Sequence, residues 1–116
     1  MPSNQDEIAQ RPSIPAGVWL VVCQDISESG DLRRRHLDQH LAYIESVMDR
    51  VAVAGPLSSS AGGRLSGSCF IYRADDRAAA EALLHNDPYY RAGLYESVEF
   101  RAFRPAAGVW VGGAAW

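Results

Sequence analysis

The sequence predicts an α+β domain of order βαββαβ, with a four-stranded antiparallel sheet and both helices on one sheet face. Three observations lead there. The hydrophobic period passes from continuous apolar runs of strand length to a helical stripe and back, twice over. The breakers Gly55-Pro56, Asp87-Pro88 and Gly93 fall at joints between these stretches. At 116 residues the chain has the length of one domain.

Residues 1–16 hold Pro2, Pro12 and Pro15 among many polar residues and read as a loose polar tail. Gly17 to Cys23 is a continuous apolar run whose β-branched content favours a buried strand, placed near 18–24. Asp25 to Gly30 reads as a polar turn. Over 31–49 the period is helical. Leu37, Leu41, Ile44 and Met48 make one apolar stripe, and Arg33, His36, His40, Tyr43 and Val47 make the neighbouring line. A short strand at 51–55 is expected to stop at Gly55-Pro56, with the Ser- and Gly-rich stretch from Leu57 to Ser66 as a loop. The third strand occupies 67–73. A second helix at 76–86 can be capped by Asp75 or Asp76. Pro88 opens a further helical turn that ends at Gly93, and a fourth strand lies at 97–103. This order is the ferredoxin-like arrangement. It divides the chain into the tail 1–16, a domain at 17–104 and an apolar C-terminal extension at 105–116.

The helices leave one sheet face uncovered, and both faces of strands one and three are apolar. Leu20, Val22, Cys69 and Ile71 oppose Trp19, Val21, Phe70 and Tyr72. An apolar outer face in a small domain calls for a cover, which two sheets packed face to face in a homodimer would supply. Val109-Trp110-Val111 is expected as a short strand against the partner or the rim of a pocket, since Trp favours burial.

Composition narrows the function. The chain is 47% hydrophobic and 22% charged with net charge −3, and all eleven basic residues are Arg. One short basic run, Arg33-Arg34-Arg35, against fourteen carboxylates gives no reason to expect a nucleic-acid partner. The N-terminus lacks the apolar stretch of a signal peptide, and no segment approaches the roughly 20 apolar residues of a membrane span. A soluble cytoplasmic protein is the default expectation. Cys23 and Cys69 sit in apolar strands without metal or redox spacing and read as buried free thiols.

The groups able to do chemistry are few. His40 lies one step off the apolar stripe, where a lone His is more often a core-edge residue than a catalyst. Asp87 before Pro88 is a favoured helix cap that needs no further role. His36 and His40 share a helix face at i, i+4, but no Glu follows His36 and two ligands do not make a metal site. Ser68 lacks the turn that exposes a hydrolytic serine.

The ordered set of Arg33, His40-Leu41, Gly55-Pro56, Gly67-Ser68, Asp87-Pro88-Tyr89 and Gly93-Leu94 resembles the YCII-related family across most of the chain. The resemblance implies a dimeric α/β barrel, with His40 and Asp87 as the catalytic pair and Arg33 and Ser68 at two further recurring positions. It implies small-molecule turnover, including dehydrohalogenation in aromatic degradation. Ser68 or amides near Gly67 would steady an oxyanion. Arg33, His36, Gly55, Pro56, Tyr72 and Tyr89 are candidate substrate contacts. No cofactor and no metal are expected. The alternative is a non-catalytic ligand-binding or accessory module using the same cavity. His36 stays a rival to His40, being one turn earlier on the same helix.

Overall fold

The computed structural model describes residues 17–114. Strand β1 (Val18–Asp25) leads to helix α1 (Gly30–Ser46), and a 3-10 turn at Met48–Arg50 leads into β2 (Val51–Ser58). Strand β3 (Leu65–Arg73) is followed by α2 (Arg77–His85), the single turn α3 (Pro88–Arg91) and β4 (Tyr95–Ala102). The four strands form one sheet in the order β2-β3-β1-β4, with every neighbouring pair antiparallel.

Alternation along the strands decides what meets the helices. Val21 and Cys23 of β1 pair with Phe70 and Ser68 of β3, so these four share the inner face. Val21, Cys23, Phe70 and Tyr72 form one buried cluster with Ala80, Leu83 and Leu84 of α2, and Ile44 and Val47 from the end of α1 pack against it. Both helices therefore lie on the same sheet face. Helix α2 begins where the Asp76 carboxylate accepts the Ala79 N–H at 2.8 Å. The turn of α3 begins in the same way, with Asp87 accepting from Tyr89 N–H at 2.9 Å and Pro88 at the first helical position. Gly93 closes that turn at φ +78°, a backbone region that L side chains avoid.

Several expectations need correction. Gly55-Pro56 does not stop β2, which runs on to Ser58 with Pro56 opposite Ser68. Because β2 is an edge strand, a residue without an N–H is tolerated there. Helix α1 ends at Ser46, three residues early, where Val47 leaves helical geometry and the chain tightens into the 3-10 turn. Strand β4 starts at Tyr95, two residues early. Of the stripe of α1 only Ile44 packs against the core: Leu37, Leu41 and Met48 are exposed, and the neighbouring line that carries Arg33 and His40 turns inward. Val109–Val111 is a 3-10 turn rather than a strand, held between a two-residue pairing of Ala107–Gly108 (β5) with Gly113–Ala114 (β6). Trp110 is 84% exposed there, against the burial expected for it. The tail at 1–16 and Trp116 lie outside the described residues. Cys23 is buried, whereas Cys69, on the outer face, is only half-buried.

Candidate active site

Helix α1 crosses the sheet so that Arg33 and His40, two turns apart, descend toward β3 and α3. The His40 Nδ1 lies 2.8 Å from Asp87 Oδ1 and 2.9 Å from Oδ2. A carboxylate only accepts, so Nδ1–H is the donor and Nε2 is the unprotonated nitrogen of the neutral ring. Asp87 is fully buried, and its Oδ1 also takes the Tyr89 N–H that starts α3. The cap and the imidazole thus share one carboxylate. The His40 ring stacks on Tyr89, with centroids 4.0 Å apart and planes at 13°, and meets Phe70 edge-on at 6.2 Å. Three neighbours fix the ring, and it opens on a cleft of about 360 Å³.

The cleft is mostly apolar. Leu37, Leu41 and Ile44 of α1 form one wall, with Ala54, Gly55 and Pro56 from β2 across from them and Phe70 from β3. The exposed Leu37 and Leu41 of α1 are thus cleft wall. Arg33, Ser68 and Tyr89 also line it.

Arg33 is buried and held by Asp25: Nε donates to Oδ2 at 2.7 Å and Nη2 to Oδ1 at 3.0 Å. Nη2 also reaches the Gly67 carbonyl at 2.6 Å and Ser68 Oγ at 3.0 Å. Ser29 donates to the same carboxylate at 2.7 Å, and the Tyr95 hydroxyl donates to Ser68 Oγ at 2.9 Å. Burial works against the charge on Arg33, but the Asp25 carboxylate more than offsets it and the guanidinium is held above its ordinary pKa. Burial pushes the Tyr95 hydroxyl well up, so it stays a donor.

The family comparison fits this geometry. The YCII-related domain model matches residues 18–104. The chain belongs to the YCII-related family. Protein YciI of Escherichia coli is 31% identical over 94 residues, covering 75% of this chain and 96% of that one, and the Shigella flexneri protein of the same name matches to the same extent. Among solved structures, the chain is similar to the 5-chloro-2-hydroxyhydroquinone dehydrochlorinase TftG from Burkholderia phenoliruptrix AC1100, in complex with 2,5-dihydroxybenzoquinone. The TM-score is 0.69 at 25% identity, over 79% of this chain and 96% of the other. The fold is the ferredoxin-like one of the dimeric α/β barrel superfamily.

In this YCII-related chain the structure gathers His40, Asp87, Ser68, Arg33, Gly55, Pro56 and Tyr89 at one cleft or directly behind it. Two candidates fall elsewhere. His36 does not line the cleft; its nearest polar partner is the exposed Gln39, at 3.4 Å. The 40° that a helix gains over four residues, with one turn of rise, is enough to separate it from His40. Tyr72 is a fully buried core residue stacked on Phe70 at 5.2 Å, and its hydroxyl has no hydrogen-bond partner among the described residues. A reading of 25–30 as a turn overlooks Asp25 and Ser29, and a fourth strand begun at 97 overlooks Tyr95. The signal was the alternation Val21, Cys23, Asp25, which continues the inner face to a carboxylate. No cluster of three or more His, Cys, Asp or Glu suited to a metal occurs among the described residues.

Proposed function

We propose that the chain is a cofactor-independent lyase or isomerase of small ring-bearing molecules, of the dehydrohalogenase type, with His40 as general acid/base and Asp87 as its orienter. The observation that carries this reading is the contact of both Asp87 carboxylate oxygens with His40 Nδ1 at the edge of an apolar cleft. It fixes the tautomer with Nδ1 protonated and Nε2 bare on a ring that lines the cleft. The similarity to a dehydrochlorinase of a chlorinated hydroxyhydroquinone supports the substrate class.

The chemistry needs nothing beyond proton transfer. In a halogenated polyhydroxy ring, one proton enters the halogen-bearing carbon and two hydroxyl protons leave. The halide departs with the carbon–halogen electron pair. The ring loses one hydrogen halide and becomes a quinone, with no outside oxidant. With Nε2 bare at the start, His40 can collect the first hydroxyl proton, deliver it to the halogen-bearing carbon and then collect the second, a role worth roughly 10²–10⁴-fold in rate. Ser68 and Arg33, which line the same cleft, would steady the ring oxygen that gains charge.

A homodimer formed through the outer sheet face belongs to the same proposal, as does a cytoplasmic location without nucleic-acid or membrane partners. Its supports are the apolar Leu20, Val22, Val53, Cys69 and Ile71 on that face and the net charge of −3. Among the described residues no helix is long and apolar enough to cross a membrane.

Halide release from 5-chloro-2-hydroxyhydroquinone tests the activity. The wild-type chain should release chloride, and His40→Ala and Asp87→Asn should each slow release by about 10²–10⁴-fold. Binding of the compound without chloride release or any other product would instead assign the cleft to a non-catalytic binding module.

A further inference from the structure

The hydrogen bonds behind the cleft leave an uneven remainder. Arg33 carries five N–H groups. Nε and Nη2 are engaged by Asp25, Gly67 and Ser68, while Nη1, with two N–H groups, donates to nothing among the described residues. Ser68 Oγ accepts from Arg33 and from Tyr95, which fills both lone pairs and leaves its own O–H to donate. Arg33 is 8% exposed and Ser68 4%, and both line the cleft. The Asp25 carboxylate, which would repel an anion, does not line it. This stretch of wall therefore offers a ligand the free N–H groups of a guanidinium that is nine-tenths buried and the Ser68 hydroxyl, while the acceptors lining the same cleft are His40 Nε2 and the Tyr89 hydroxyl oxygen.

We infer that the cleft holds an ionised oxygen of its ligand against Arg33 Nη1 and the Ser68 hydroxyl, so that the ligand class is an apolar-bodied oxyanion. A neutral alcohol would meet these donors with a partial charge only, whereas an oxyanion meets the guanidinium with a full opposite charge and takes charge-assisted bonds at both ends. Leu37, Leu41 and Phe70 keep the surroundings apolar, which strengthens those bonds. The inference rests on the reading of this cleft as a substrate site and narrows what the site accepts. A ring hydroxyl made acidic by a quinone and a carboxylate on a ring share this chemistry.

Calorimetric titration at neutral pH tests it with three probes: 2,5-dihydroxybenzoquinone, ionised at its ring hydroxyls; benzoate, ionised at a carboxylate; and 2,5-dimethoxybenzoquinone, neutral. At least one ionised probe should bind about tenfold or more tighter than the neutral quinone, the scale of one charge-assisted hydrogen bond. The tighter of the two ionised probes identifies the source of the oxyanion. Arg33→Lys, which keeps a cation beside Asp25 but loses the Nη1 fork, and Ser68→Ala should each shrink that preference. Equal binding of neutral and ionised probes by the wild-type chain would overturn the inference, as would a preference unchanged in both variants. The wild-type comparison stands even if Arg33→Lys fails to fold. An ionised-probe preference without halide release would leave the subsite standing and defeat the lyase reading. Halide release without the preference would do the reverse.

Discussion

Asp87 does two jobs with one carboxylate. It caps α3 through Tyr89 N–H and it orients His40. The cap alone explains an Asp before Pro88, which is why sequence could not separate the structural reading from the functional one. Asp87→Asn separates them. The Asn oxygen can still accept the Tyr89 N–H, but an amide cannot give Nδ1 two acceptor oxygens. The thermal midpoint should stay nearly unchanged while turnover falls, as measured by calorimetry beside chloride release. Cys23 offers a second check at this scale. Burial foremost, with the Asp87 carboxylate next, pushes its thiol up to about 12. In the folded protein iodoacetamide at pH 8 should leave Cys23 unmodified by mass spectrometry, and denaturant should expose it.

At the scale of elements, the site depends on where β1 ends. Its inner-facing alternation puts Asp25 under the first turns of α1, where it anchors Arg33 from eight residues away. Removing one partner of a buried pair leaves an uncompensated charge, so Asp25→Ala should cost about 3–5 kcal/mol in denaturant unfolding. Gly67 matters for a different reason. A Cβ at this position would run into the Cys23 carbonyl on β1. Gly67→Ala should push β3 off β1 and weaken both folding and ligand binding, because Gly67 and Ser68 hold the Arg33 guanidinium. The element order was legible because hydrophobic period and breakers agree over the whole chain. The face of α1 was not. Leu37 and Leu41 have the spacing of a core stripe, yet they wall a cleft, and apolar periodicity does not distinguish a packed face from a ligand-facing one. The pairing of His40 with Asp87 spans 47 residues, and only the family pattern, not any local spacing, tied the two together. The continuation of β2 through Pro56 was hidden because a proline stops a central strand but not an edge strand.

At the scale of the molecule, the outer sheet face and the C-terminal extension remain unpartnered in the single chain. Trp110 and Val109 are 84% and 93% exposed, and Trp110 borders an apolar hollow with Val53, Ile71 and Phe103. A second copy packed on this face would cover Val22 and Ile71. Light scattering should give a dimer at micromolar concentration, and Val22→Arg should give a folded monomer. Truncation after Pro105 should weaken the dimer. A wild-type monomer would remove the assembly, and a truncation without effect would remove the role of the extension. Alkali should act on the whole fold. The Cys23 pKa is raised from 9.0 to about 12 in the folded state, so the fold favours the protonated thiol. That contribution is fully present below about pH 9 and is lost as pH climbs toward 12. Burial raises the Tyr72 and Tyr95 hydroxyls in the same direction. Urea midpoints should fall steadily over this window and show no such fall between pH 7 and 9.

The acid/base account turns on one proton, the one between His40 and Asp87. Long-range ¹H–¹⁵N correlation spectra of the imidazole rings read it without any substrate. With the ring neutral, His40 should appear as a single tautomer, protonated at Nδ1 with Nε2 bare, and Asp87→Asn should abolish that fixed pattern. A His40 ring protonated at Nε2, or averaging between tautomers as an exposed histidine does, would contradict the account.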